Sequence, residues 1–466
     1  MTEKTTEMNP AGDHSMKRVV LVVAAMAAFL TPFMGSSINI ALPSIGREFH
    51  MDAVLLGWVA TTYLLAAAIF LVPFGKIADI TGRKKIFASG IFIYSLFSFL
   101  SAVSGSAAAL IIFRTLQGIG GAMMFGTGTA ILTSVFPVGE RGKALGLSVA
   151  STYLGLSLGP VLGGILTQNF GWRSIFVVNC VTGLIIIGLI VWKMKREWAE
   201  ARGDRFDLTG SIILGFTLIA IMLGFTRLPR LSGAGLLFVG VLGVLGFIRW
   251  ETKTPSPVLN MNLFRKNTVF AFSNLAALIN YSATFAVGFL LSLYLQYIKG
   301  LSPQQAGLIL IAQPAVMAAF SPLAGRLSDR IEPRLIASAG MSLSAAGLLL
   351  LCFLGEKTTL GFIIAGLILL GFGFALFSSP NTNAIMSSVE RRFYGVGSAM
   401  LGTMRLTGQM LSMGVAVLIF SIHIGNVQIT PAYFPLFLVS LRTAFILFAA
   451  LCFGGVFASL ARGKLR

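Results

Sequence analysis

The chain has 466 residues, 56% of them hydrophobic and only 11% charged, with a mean hydropathy of +0.87 and a net charge of +19. This excludes an ordinary soluble globular protein, because apolar runs on such a scale find their solvent in lipid, and it points to a polytopic membrane protein. The positive charge does not call for nucleic acid as a partner, since basic residues collect in the cytoplasmic loops of membrane proteins.

Residues 1–17 are polar, carry no cleavable signal pattern, and are expected to be a disordered cytoplasmic N-terminus. Fourteen apolar spans follow, near 18–41, 52–75, 86–104, 106–135, 143–168, 174–194, 208–226, 232–250, 269–297, 303–325, 335–354, 358–387, 394–420 and 437–460. An even number puts both termini on one side. With that side cytoplasmic, 26 of the 35 lysines and arginines fall at inner ends, 6 at outer ends, and three (Arg114, Arg405 and Arg442) within spans. The bias orients the chain with both termini in the cytoplasm of a cell (inner or plasma) membrane. Cys180, Cys352 and Cys452 sit in apolar runs with neither metal nor disulfide spacing, so they are expected to pack as small apolar groups.

Between the second and third spans lies Gly75-Lys76-Ile-Ala-Asp79-Ile-Thr-Gly82-Arg83-Lys84-Lys85. Gly75 and Gly82 allow close backbone approach, Asp79 can accept from a helix start or pair with an arginine, and the basic run holds the loop inside. The spacing resembles the loop between the second and third spans of major facilitator superfamily transporters. There the loop latches the cytoplasmic side and gates alternating access. A partial echo, Gly325-Arg-Leu-Ser-Asp329-Arg330, repeats the step from Gly75 to Asp79 and then decays at Glu332 and Pro333. Two related halves are expected of a transporter built from repeats. The resemblance implies an all-α polytopic membrane protein with the major facilitator fold. Its parts would be a six-helix bundle over 18–195, a linker and inserted helix pair over 196–268, a second six-helix bundle over 269–460, and a cytoplasmic tail over 461–466.

Span four carries Arg114 and Gln117, three apart on one helix face. An arginine inside a span costs at least about 2.5 kcal/mol and needs a polar reason. The plain reading is a guanidinium snorkelling toward the outer interface. The other reading rests on similarity to the superfamily's R-x-x-x-G pattern, which it links to proton coupling. Span five carries Gly155-x-x-x-Gly159-Pro160-x-x-Gly163-Gly164, a flat face for close helix contact with a bend at the proline. This stretch resembles the antiporter motif of drug exporters. Trp172-Arg173-x-x-Phe176-x-x-Asn179, Phe206-Asp207-Leu-Thr-Gly210, Gly300-Leu-Ser-Pro303 and Asn39-Ile-Ala-Leu-Pro43 extend the likeness, and the chain is identified as a member of the fourteen-span drug:proton antiporter family.

One feature departs from that family. None of the sixteen acids falls in the middle of a span, and the segment before Asn39, where many members carry an aspartate, reads Phe33-Met-Gly-Ser-Ser-Ile38. A buried carboxylate is the natural proton carrier and cation ligand, so both inferences weaken together. Asp52, at the outer end of span two, is the remaining coupling candidate, with a helix N-cap as the plain alternative. Asn39, Tyr63, Asn280, Tyr281, Gln313, Asn381, Arg405, Gln409 and Arg442 are the candidates to line a substrate cavity. Arg405 and Arg442 without acid partners suggest pairing with backbone carbonyls or an anionic substrate, or a structural role. The expected function is export of a small amphiphilic compound by alternating access, by proton antiport as the resemblance implies, from a lipid-embedded monomer. Export or flipping of a neutral or anionic lipid-like molecule, and a non-transporting sensor with a transporter fold, remain as alternatives. No P-loop, nucleophile–base pair or metal cluster is visible, so neither an enzyme nor a cofactor or metal is expected.

Overall fold

A computed structural model of the chain describes residues 10–194, 196–199, 201, 203–255, 257–259, 261–390 and 394–463. In lipid, a backbone must satisfy its own N–H and C=O groups, and helices do so within one segment. Among the described residues, fourteen helices, or runs of helix, are long and apolar enough to cross a membrane. The first six are α1 (Pro10–Glu48), α2 (Ala53–Thr81), α3 (Arg83–Ala102), α4 (Ala107–Val135), α5 (Val138–Phe170) and α6 (Arg173–Lys193). The inserted pair is α7 (Leu208–Arg227) and α8 (Leu231–Glu251). After the short α9 (Met261–Lys266), the ninth span is built from α10 (Thr268–Thr284), α11 (Ala286–Leu293) and a π turn at Tyr294–Ile298. The tenth is α12 (Pro303–Leu310) and α13 (Ala312–Ser328); Pro314, which has no N–H for the Leu310 carbonyl, follows the break at Ile311. Then come α14 (Pro333–Leu351), α15 (Leu360–Ser387), α16 (Tyr394–His423) and α17 (Phe434–Ala461).

Helix starts follow local chemistry. Asp52, Ser106, Asp207, Asn267, Ser302 and Thr359 each cap the helix that follows them, Ser302 in a reciprocal box with Gln305. Two boundaries differ from the sequence expectation. Helix α1 begins at Pro10, inside the segment expected to lack structure, while residues 1–9 lie outside the described residues. At the other terminus Arg462, expected in an open tail, is buried and donates to Ser459, Ser273 and Asn381; residues 464–466 lie outside the described residues.

Helices α1–α6 form one bundle and α10–α17 the other. The helices α7 and α8 pack on each other, and α7 also touches α2 and α16 at the seam between bundles. The halves repeat one packing device. A Cβ on Gly90 of α3 would stand 3.0 Å from the Gly120 carbonyl oxygen of α4, and a Cβ on Gly340 of α14 would stand 2.6 Å from that of Gly373 on α15. Both pairs bring two backbones together where no side chain fits. Gly90→Leu and Gly340→Leu are therefore each expected to destabilise the fold by about 1–3 kcal/mol through overpacking. Thermal unfolding in detergent checks this; a midpoint equal to wild type in both variants contradicts it.

Candidate substrate cavity and gate

The loop between α2 and α3 marks the basic end of the bundle. Gly82 takes φ +131°, a backbone region that glycine occupies freely, and turns the chain directly from α2 into α3. Asp79 Oδ1 accepts from Arg83 Nε at 2.7 Å, and Arg83 Nη1 reaches Ser134 and the Ala130 carbonyl on α4. The connection from α6 to α7 lies across this loop. Glu197 accepts from the backbone N–H groups of Lys84 at 2.8 Å and Lys85 at 3.2 Å, supplying the first turn of α3 with a charged cap. Arg83 N–H donates to the Trp198 carbonyl, Ala201 N–H to the Asp79 carbonyl, and Lys76 pairs with Asp204 at 2.6 Å. Sequence reasoning missed Glu197 and Asp204, which lie in a polar linker with no motif around them. In the second half, Asp329 accepts from Asn383 at 3.2 Å, and Gly325 sits where a Cβ would stand 2.8 Å from Ser379 Oγ.

At the opposite end the two bundles touch. Ser292 Oγ donates to the Asn39 carbonyl at 2.6 Å, Gln296 Nε2 to the Ile40 carbonyl at 3.0 Å, and Ala53 N–H to the Val427 carbonyl at 3.1 Å. The glycines on α5 pack mostly against α1 within the first bundle, and one of them reaches the second. A Cβ on Gly155 would stand 2.5 Å from the Phe29 carbonyl oxygen and one on Gly163 2.7 Å from Ser37 Cβ, both on α1; Gly159 lies against Ser36. Gly164 faces the second bundle, where a Cβ would stand 2.5 Å from the Pro303 carbonyl oxygen. The run thus fastens α5 to α1 on one side and to α12 on the other, and Pro160 lies at the cavity wall beside it.

Between the bundles a cavity of about 940 Å³ reaches the basic end past Phe87, Gly146, Gly325, Asp329 and Met386. It adjoins an inner chamber of about 190 Å³ at Thr31, Phe125, Leu156, Tyr281, Phe374 and Arg405. The inner chamber is lined by aromatic rings, amides and two guanidinium groups, with no carboxylate among its lining residues. Arg405 stands at the junction, its guanidinium carbon 5.4 Å from the Tyr281 ring centroid and 6.0 Å from that of Phe125. Among the described residues it has no hydrogen-bond or ion-pair partner.

Six of the nine cavity candidates line the inner chamber: Asn39, Tyr63, Tyr281, Gln313, Arg405 and Gln409. Three do not. Asn280 and Asn381 face away from it, Asn381 into the buried contacts with Arg462 and the Ser273 carbonyl. Arg442 is exposed on α17 and lines neither cavity. Asp52 accepts from Leu55 N–H at 2.7 Å as an N-cap at the end away from the basic loops and touches neither cavity. Arg114 does not snorkel. It is buried, donates to the Val59 carbonyl at 3.2 Å and to Gln117 Oε1 at 2.6 Å, and lies 4.6 Å from the Tyr63 ring centroid at the chamber wall. Phe125, Phe374 and Thr31 complete the junction, and no sequence signal separates them from the chain's other apolar residues.

The model of the Major Facilitator Superfamily matches residues 24–273 and 273–464. The chain belongs to the major facilitator superfamily. It is a membrane transporter. It is 29% identical to the riboflavin transporter RibZ of Clostridioides difficile, over 94% of this chain and 96% of that one. It is 30% identical to the multidrug resistance protein Stp of Mycobacterium tuberculosis, over 85% of this chain and 74% of that one. Its fold matches a bacterial homolog of the human lysosomal transporter Spinster with a TM-score of 0.66 at 17% identity, over 96% of this chain and 97% of that one.

In this transporter, Asp79→Asn removes the charge that orients Arg83, and Gly159→Leu forces a side chain into α1. Each is expected to abolish transport while leaving membrane insertion intact. Flux assays beside membrane-fraction blots check this; normal flux in both variants contradicts the gating role of the loop and the glycine run.

Proposed function

We propose that the protein is a secondary active exporter of amphiphilic compounds, working by alternating access and proton antiport from the cell membrane with both termini in the cytoplasm. The observation that carries the reading is the cavity between the two bundles, which reaches the basic end while the bundles are fastened at the other. In this reading the basic end is the cytoplasmic one, as the charge bias requires, and the structure holds an inward-facing state. The mechanism then needs a second state, in which the contact of Gly164 on α5 with Pro303 on α12 parts and the loop from Gly75 to Lys84 closes against the region of Gly325 and Asp329. The aromatic lining suits shape-tolerant apolar ligands. The names of the relatives agree in kind: one is a riboflavin transporter and another a multidrug resistance protein. Proton antiport rests on the likeness to the drug antiporters.

A second reading is favoured by one specific observation. Arg405 offers unused donors in a chamber lined by no carboxylate. A lipophilic cation there meets like charge at reduced dielectric, whereas a carboxylate, a phosphate or a carbonyl-rich neutral molecule completes the donor set. The substrate class is then neutral or anionic amphiphiles, lipid-like molecules included. Substrate-driven proton release and flux in proteoliposomes, with a lipophilic cation and a matched anionic amphiphile, separates the two. Flux of the anion alone, lost by tenfold or more in Arg405→Gln and partly kept in Arg405→Lys, supports the second reading. Flux of the cation, unchanged in Arg405→Gln, removes it. No flux of either across a range of amphiphiles removes the exporter reading.

A further inference from the structure

The Phe206-Asp207-Leu-Thr-Gly210 stretch plays no part in the cavity or the gate. It opens α7 at the basic end, beside the last turn of α8. Asp207 caps α7, accepting from Gly210 N–H at 2.8 Å, and both its oxygens accept from the Trp250 indole N–H, at 3.1 and 3.0 Å. Glu251 closes α8 and is 2% exposed. Its Oε2 accepts from Leu259 N–H at 2.8 Å and the Val258 N–H also faces the carboxyl group, while its fully buried Oε1 has no hydrogen-bond partner among the described residues. A Cβ on Gly210 would stand 2.5 Å from both Glu251 Oε1 and Asp207 Oδ2, so the two carboxyl groups face one another across the glycine. Neither acid forms an ion pair among the described residues, and Asp207 is the charged group that faces Glu251.

We propose that Asp207 and Glu251 form a proton-binding site, sharing one proton between Glu251 Oε1 and Asp207 Oδ2. Two adjacent carboxylates without a cation cannot both stay ionised in a buried setting at modest cost, and an orphaned buried oxygen is costly too. One proton answers both: it converts one oxygen into a donor and the facing oxygen into its acceptor, with no other group changed. The shared proton latches three parts of the molecule. Glu251 holds the backbone of Leu259, which belongs to one buried apolar cluster with Val72 of α2, Phe247 of α8, Phe270 of α10, Ile385 of α15 and Met400 of α16. The inserted pair is thereby tied to both bundles at the end where the cavity opens. Loss of the proton leaves two facing anions and loosens that tie.

The test uses the full-length protein in lipid nanodiscs and does not depend on transport. Infrared spectroscopy at neutral pH is expected to show the carbonyl stretch of a protonated, hydrogen-bonded carboxyl in wild type, absent from the double variant Asp207→Asn/Glu251→Gln. Asparagine retains the N-cap and glutamine retains both an acceptor for Leu259 and a donor for Asp207, so the variants keep the fold. The thermal midpoint of wild type is expected to fall as pH rises through the loss of this proton, and that of Glu251→Gln to lack the fall. No difference between the wild-type and double-variant spectra, equal pH dependence in wild type and Glu251→Gln, or a midpoint that follows sodium instead of pH overturns the proposal.

Discussion

Backbone meets backbone where α5 crosses α1 and reaches α12, and the working geometry depends on that contact. Between lipid-embedded helices there is little hydrophobic drive, so close packing must supply the association. Glycines at 155, 159, 163 and 164 leave room only for the carbonyls and small side chains of the partner helices. Gly155, Gly159 and Gly163 hold α5 to α1 within the first bundle, and the contact of Gly164 with Pro303 on α12 helps to close one end of the interface between bundles. The glycine pairs Gly90–Gly120 and Gly340–Gly373 use the same chemistry as the α1–α5 contact inside each bundle.

The opposite end is organised by charge. The turn at Gly82 presents the start of α3, and three parts of the chain converge on it: Asp79 through Arg83, α4 through Ser134, and the α6–α7 connection through Glu197. Because the connection to the inserted helix pair rests on the α2–α3 loop, the pair is tied to that loop through the backbone as well as through its packing on α2 and α16. Asp207 ends the same connection, and Glu251 faces it from the last turn of α8. The inner chamber, by contrast, carries only positive charge among its lining residues.

That distribution explains the departure from the drug-antiporter pattern noted at Phe33–Ile38. In place of a mid-span acid the chamber offers Arg405 beside Tyr281 and Arg114 beside Tyr63, two cations resting against aromatic rings. Rings stabilise a guanidinium without quenching its donors. Arg114 spends its donors on Val59 and Gln117 and so holds α4 to α2; Arg405 keeps its own for the cavity. Two arginines that look alike along the chain therefore do different work.

The amino-acid sequence alone determined the class of fold and the fourteen spans. These depend on span length, loop charge and glycine spacing, which are local and survive without a partner. It also showed six of the residues that line the inner chamber, because amides, tyrosines and arginines stand out in an apolar span. Which face of a helix each one occupies is a different matter. Asn280 and Asn381 have the same chemistry as Asn39, yet they turn into the second bundle, because rotation about the helix axis is set by packing against neighbours distant in the chain. Arg442 and Arg462 exchanged their expected surroundings for the same reason, one exposed and the other buried. Glu197 and Glu251 gave no sequence signal at all, since a carboxylate acquires its role from the backbone N–H groups and the facing acid that tertiary contact brings to it.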